Sequence, residues 1–189
     1  EHPHLLLSGG TGGGKTVLLM SLIKALAECG YVDICDPKKS DFTGLKDIPV
    51  FHKRVFFEKE DMIACLKENV DFMDERYQSM TNHPDFIPGK RYSAYGFKPK
   101  FIVFDEWAAF MASLDNDYKS LSLVLEYLTQ IILKGRQAGL FFILGLQRPD
   151  GEYIKTTLRD NFMKRVSVGH LEDTGYKMKS VGKMVDDYL

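Results

Sequence analysis

The chain has 189 residues, enough for one domain with a sizeable core. It is 44% hydrophobic and 27% charged, as an ordinary globular domain is, and it carries a net charge of −1. That balance excludes a domain gripping nucleic acid through an overall basic excess, so any DNA contact must come from local patches or from patches summed over several subunits. No apolar run reaches the length of a membrane span, and no signal peptide is visible. Cys29, Cys35 and Cys65 lack metal-ligand spacing, which predicts reduced, mostly buried thiols of a cytosolic compartment. Glu1 stands almost directly before the first apolar run. The chain therefore reads as one domain, 1–189, cut from a longer protein whose membrane or regulatory segments lie outside it.

His4 to Ser8 predicts a short buried parallel strand. Gly9 to Thr16 follows as G-G-T-G-G-G-K-T and fits the P-loop pattern G-x-x-x-x-G-K-[ST]. Such a loop must bring its backbone close to phosphate oxygens, and glycines allow that approach and aim their N–H groups inward. Gly10, Thr11, Gly12, Gly13, Gly14, Lys15, Thr16 and Val17 are the expected nucleotide-binding residues. Lys15 would reach the β- and γ-phosphates, and the Thr16 hydroxyl would hold Mg²⁺. Val17 to Cys29 has helical apolar spacing at Leu18, Leu19, Leu22, Ile23 and Leu26, and Gly30 is its expected C-cap. Strand, glycine loop and helix place a helix N-terminus against an anion, which argues against a chance match in a Gly-rich turn.

Tyr31 to Cys35 predicts a second strand, ending at Asp36-Pro37-Lys38, and Val50 to Phe57 a third. Glu58 to Met80 predicts a long helix with Met62, Leu66, Val70, Met73, Tyr77 and Met80 on its core face. Thr81 to Lys100 breaks the pattern: it holds three prolines and two glycines, with Lys90, Arg91, Lys98 and Lys100 against Asp85 alone. A long irregular loop is often functional, and equally often a solvated surface.

Phe101-Ile102-Val103-Phe104-Asp105-Glu106 is an apolar strand ending in two acids, the Walker B form. Asp105 would help to hold Mg²⁺, and Glu106 would orient and activate the attacking water. Adjacent carboxylates at the C-terminal end of a parallel strand are costly unless a cation or water uses them. Tyr118 to Lys134 predicts a helix ended by Gly135, leaving Arg136 on the loop beyond. Arg136 reads either as an arginine that reaches a neighbouring subunit's ATP or as a helix C-terminal cation. Leu140 to Leu146 predicts a buried strand closed by Gln147, which would sense the γ-phosphate or cap a neighbouring backbone group. Ile154 to Asn161 predicts a helix and Phe162 to Val168 a last strand. Strands alternating with helices imply an α/β fold with a mainly parallel central sheet flanked by helices.

Several of these segments together resemble the motor domain of the FtsK/SpoIIIE DNA translocases, within the wider HerA-FtsK group of P-loop ATPases. They are Pro3-His4-Leu5-Leu6, Asp36-Pro37-Lys38, Met73-Asp74-Glu75-Arg76-Tyr77, and Lys134-Gly135-Arg136-Gln137-Ala138-Gly139 followed by Gln147-Arg148-Pro149. The resemblance implies a RecA-like fold that assembles as a hexameric ring and pulls double-stranded DNA through its pore with ATP and Mg²⁺. It implies Arg136 as the arginine finger acting in trans, and Gln147 near the γ-phosphate. It suggests that the Thr81–Lys100 loop and the segment from Gly151 to Lys155 face the pore, with Lys90, Arg91 and Lys155 as phosphate contacts.

Gly-Leu-Gln-Arg-Pro-Asp-Gly and Leu158-Arg159-Asp160-Asn161-Phe162 most resemble FtsK-like proteins of Gram-positive conjugative elements. Those couple DNA to a membrane secretion channel, which implies a cytoplasmic domain of a membrane-anchored bacterial protein. The competing reading is an FtsK-like ATPase of type VII protein secretion, but those carry D-Y-K-G-G where this chain has Asp36-Pro37-Lys38. A nucleotide-binding switch is a third class, and Glu106 argues against it. Two features depart from the family: Trp107 follows the Walker B acids, and the Gly-rich segment expected near the C-terminus is not recognisable, as though a stretch were missing after Met178.

Overall fold

The protein is described by a computed structural model covering residues 3–10, 12–147 and 156–169. Thr11, Arg148, Pro149, the segment from Gly151 to Lys155 and everything after Gly169 lie outside the described residues. Among the described residues six parallel strands form one sheet in the order β3-β2-β4-β5-β1-β6. In chain order these are β1 (Leu5–Gly9), β2 (Tyr31–Cys35), β3 (Val55–Phe56), β4 (Lys100–Phe104), β5 (Leu140–Leu146) and β6 (Lys164–Val168). The helices are α1 (Lys15–Cys29), α2 (Lys59–Thr81), α3 (Trp107–Ala112), α4 (Tyr118–Ala138) and α5 (Thr156–Arg159).

The period-two alternation of the strands divides the core between the two sheet faces. Leu6, Ile102, Phe104, Phe142 and Leu144 pack with Met62, Leu66, Val70 and Met73 of α2 and Val124, Leu128 and Ile131 of α4. Leu7, Val32, Ile34, Val103 and Ile143 pack with Leu19 and Ile23 of α1. The predicted core face of α2 is the face it buries, Tyr77 partly so.

Two elements differ most from the sequence reading. The expected strand over 50–57 shrinks to Val55–Phe56. Pro49 starts a 3-10 turn, Phe51 turns into the core, and Lys53 takes a left-handed φ of 58°, so the chain cannot extend until Arg54. Helix α4 does not stop at Gly135 but runs to Ala138, and Gly139 caps it with φ 78°. Gly135 serves close packing instead: a Cβ there would stand 2.5 Å from the Leu140 carbonyl oxygen. Gly30 likewise ends α1 in an extended conformation, and a Cβ there would lie 2.1 Å from the Pro99 carbonyl oxygen.

The segment between α2 and β4 contains a 3-10 turn, Tyr92–Tyr95. Lys100, counted with its basic residues, belongs to β4 and is buried, its ammonium 3.0 Å from Asp33 Oδ2. The short helix α3 was not foreseen.

Candidate active site

Strand β5 lies between β1 and β4, with Leu7 beside Gly145 and Phe104 beside Leu144. The C-terminal ends of the three central strands therefore meet at one edge of the sheet, where open α/β sheets bind ligands. A cleft of about 470 Å³ opens there, lined by residues that include Gly10, Gly12, Gly14, Lys15, Thr16, Val17, Asp105, Glu106 and Gln147. Residues far apart in sequence, the glycine loop after β1, the acids after β4 and the glutamine after β5, meet in this cleft.

The glycine loop is shaped by close approach as well as by φ. Gly12 and Gly14 take left-handed φ values of 77° and 86°. A Cβ on Gly13 would stand 2.9 Å from the Val168 carbonyl oxygen, and one on Gly9 would stand 2.5 Å from the Val168 side chain. The Gly13 N–H donates to the Gly10 carbonyl at 3.0 Å, closing the turn, and α1 begins at Lys15.

Lys15 is buried between the two acids. Its ammonium pairs with Glu106 Oε1 and stands 3.1 Å from Asp105 Oδ1. Burial pulls the Lys15 pKa down, against the attraction of Asp105. Burial pushes the Asp105 pKa up, against the attraction of Lys15. Each partner is displaced toward its neutral form, so desolvation outweighs their mutual attraction. A phosphate beside Lys15 and a divalent cation beside Asp105 would oppose both displacements. The Thr16 hydroxyl donates to Asp41 Oδ2 at 3.0 Å, which leaves its lone pairs free for a cation. Among the described residues no cluster of three or more His, Cys, Asp or Glu could cage a metal ion. Mg²⁺ keeps waters and substrate phosphates in its shell and needs few protein ligands, so the Thr16 hydroxyl and the Asp105 carboxylate would be the groups to hold it here.

Glu106 takes the left-handed conformation, φ 51° and ψ 54°, and its N–H donates to Asp105 Oδ1 at 3.0 Å. A Cβ on Gly145 of β5 would stand 2.7 Å from that same oxygen, so the glycine makes room for Asp105. Trp107, fully buried against Phe104, Phe110 and Phe142, anchors the start of α3 directly behind Glu106.

Three cleft residues were not singled out from sequence: Lys38, Ser40 and Asp41. The Asp36-Pro37-Lys38 element carried the signal, because an Asp in a turn accepts nearby backbone N–H groups. Asp36 accepts from Lys38, Ser40 and Phe42 at 3.2, 3.1 and 3.2 Å.

Arg136 is not in this cleft. It lies in the last turn of α4, next to the start of β5, and so at the opposite edge of the sheet. Seven residues of β5 separate the edges, about 20 Å of strand. That edge is also where the segment carrying Lys90 and Arg91 packs: Gln137 Nε2 donates to the Lys90 carbonyl at 3.3 Å, and Tyr92 covers Gly139. Arg76 and Tyr77 brace it. Arg76 donates to the carbonyls of Lys98 and Ala138 at 2.8 and 2.9 Å, and Tyr77 Oη donates to the Lys134 carbonyl at 2.7 Å.

The all-parallel sheet, the glycine loop leading into α1 and the acids one strand removed define a P-loop nucleotide-binding protein of the RecA-like α/β class. Sequence comparison gives the family it shares: the FtsK/SpoIIIE family model matches residues 1–84. The FtsK domain-containing protein YdcQ of Bacillus subtilis is 44% identical over 177 residues, covering 93% of this chain and 36% of the relative. A DNA translocase FtsK of Borreliella burgdorferi is 27% identical, covering 87% of this chain and 22% of the relative. The chain thus spans only about a third or less of the length of these relatives.

Two solved structures share the fold. The pCW3 conjugation coupling protein TcpA, in its monomer form with ATPγS, superposes with a TM-score of 0.76 at 22% identity, over 94% of this chain and 52% of that one. EccC of Thermomonospora curvata (ATPases 2 and 3, with a signal sequence peptide) gives 0.67 at 21%, over 96% of this chain and 34% of that one.

Proposed function

We propose that this chain is the motor domain of a DNA translocase, hydrolysing ATP at sites shared between subunits of a homo-oligomeric, hexameric ring. The observation that carries the reading is the meeting of Lys15, Asp105 and Glu106 in one cleft beneath the glycine loop. Bound Mg²⁺ would neutralise developing charge on the phosphates, with Thr16 and Asp105 holding it. The loop from Gly10 to Val17 would cradle the phosphate chain; Thr11 lies outside the described residues. Lys15 would exchange its pairing with the acids for the β- and γ-phosphates. Glu106, freed on its Oε1 side, would orient the attacking water and accept its proton. Gln147, exposed at the rim, would contact the γ-phosphate. Arg136 lies too far from its own cleft to serve it, which supports a role at the neighbouring subunit's ATP.

Lys90, Arg91 and Lys155 would contact double-stranded DNA, Lys155 from outside the described residues. The likeness to a DNA translocase and to a conjugation coupling protein favours DNA as the substrate, in conjugative transfer or chromosome segregation. Membrane or secretion-channel partners would be met by regions outside this chain, and its own place would be cytoplasmic. Among the described residues no helix is long and apolar enough to cross a membrane. The fold shared with EccC supports a second reading, a type VII secretion ATPase.

Glu106→Gln tests the site. It is expected to bind ATP like the wild type and to hydrolyse it about a hundredfold or more slowly. Normal turnover in that variant would remove Glu106 from the reaction.

A further inference from the structure

The loop after β2 brings a second cation to Glu106. Lys38 Nζ stands 3.1 Å from Glu106 Oε2, while Lys15 takes the other oxygen. The two lysines are held differently. Lys15 belongs to the phosphate-binding loop and would leave Glu106 for a nucleotide. Lys38 belongs to a loop fastened at points outside the glycine loop. The buried Asp36 carboxylate accepts three of its backbone N–H groups, and Phe42 is fully buried in the core beside α1. Lys39, in a left-handed conformation, pairs with Glu58 at 2.6 Å just before α2. Pre-ordered in this way, the loop carries little entropic cost in holding Lys38 at its post. The Glu106 side chain is 7% exposed and that of Lys38 40%, so the carboxylate is withdrawn from water while the ammonium reaches it from the rim.

We propose that Lys38 is a positioning residue for the hydrolytic glutamate. By holding Oε2 it fixes the carboxylate's rotation and leaves Oε1 as the oxygen presented toward the phosphate end of the cleft. The strained left-handed backbone of Glu106 fits this role: strain persists where surrounding contacts over-determine a conformation. The same loop sets the Thr16 hydroxyl through Asp41, so one element governs both a base and a cation ligand. The inference rests on Glu106 acting as the base.

The experiment compares wild type, Lys38→Ala, Lys38→Arg, Glu106→Gln and the double variant Lys38→Ala/Glu106→Gln. Binding of a fluorescent, non-hydrolysed ATP analogue is measured beside steady-state Mg-ATP turnover. Lys38→Ala is expected to lower kcat by about tenfold to a hundredfold, with KM and analogue affinity within about twofold of wild type. Lys38→Arg should recover most of the loss, and Lys38→Ala should cost nothing further in the Glu106→Gln background. Unchanged or raised kcat in Lys38→Ala would overturn the proposal. So would a loss of analogue affinity as large as the loss of rate, which would make Lys38 a phosphate ligand. Wild type that binds the analogue but shows no turnover sensitive to Glu106→Gln would overturn the base assignment, and this inference with it.

Discussion

Arg76 of α2 donates to the carbonyl of Ala138, the last residue of α4 and 62 positions away, at 2.9 Å. The same nitrogen reaches the Lys98 carbonyl at 2.8 Å, and the guanidinium lies 4.2 Å from the centre of the Phe72 ring. One side chain thus ties α2, the basic segment and the end of α4 together, two residues from Arg136.

Removing it should be felt in stability. Arg76→Ala leaves the buried Ala138 carbonyl without this donor and deletes the stacked guanidinium, which should cost about 2–4 kcal/mol. Urea unfolding measures the loss. Arg76→Lys should recover less than half of it, because an ammonium lacks the planar guanidinium that lies on the Phe72 ring while one of its nitrogens reaches both carbonyls.

His4 should make the fold sensitive to acid. Its Nε2–H donates to the Ile132 carbonyl at 3.1 Å, and its Nδ1 accepts the Phe142 N–H at 3.0 Å, so the ring is held neutral between α4 and β5. Burial lowers its pKa to about 4, partly opposed by the bond to Ile132. Unfolded, the ring titrates near 6.5. Between those values the unfolded chain binds the extra proton, so stability falls as pH falls. The contribution is fully present above pH 6.5 and lost as pH drops through about 4, an effect of about 3 kcal/mol. Urea midpoints from pH 7.5 to 4.5 should fall more steeply for wild type than for His4→Gln.

Those pairings show what was legible in sequence. The strand, glycine loop and first helix could be read because period-two and helical spacing meet at a motif whose glycines have few other uses. The Asp105-Glu106 pair could be read because two acids ending an apolar strand are costly without a partner. The end of α4 was misread because two glycines stand four apart, and only the fold reveals which one packs and which one caps: Gly135 meets Leu140, while Gly139 carries the positive φ. Lys100 looked like part of a basic loop because its carboxylate partner, Asp33, is distant in sequence. Arg76, Tyr77 and Lys38 stood in recognised motifs, yet their partners are backbone carbonyls and a buried glutamate that only tertiary packing brings near.

Arg136 should act between subunits. Arg136→Ala is expected to bind ATP normally and to turn over about a hundredfold or more slowly than wild type. Mixing it with Lys15→Ala, which should be inactive alone, should restore part of the activity. In mixed rings an intact Arg136 from one variant can face an intact Lys15 of the other. Arg136→Ala turning over like wild type would remove the finger assignment.

The central claim is a motor driven by ATP on DNA, and Mg-ATP hydrolysis across a titration of duplex DNA tests it most directly. The assay uses protein shown to assemble and DNA of mixed sequence. The account predicts a rate that rises severalfold and saturates with duplex DNA, weakens with added salt, and vanishes in Lys15→Ala. A rate that stays flat across the whole titration in assembled, ATP-hydrolysing protein would contradict it.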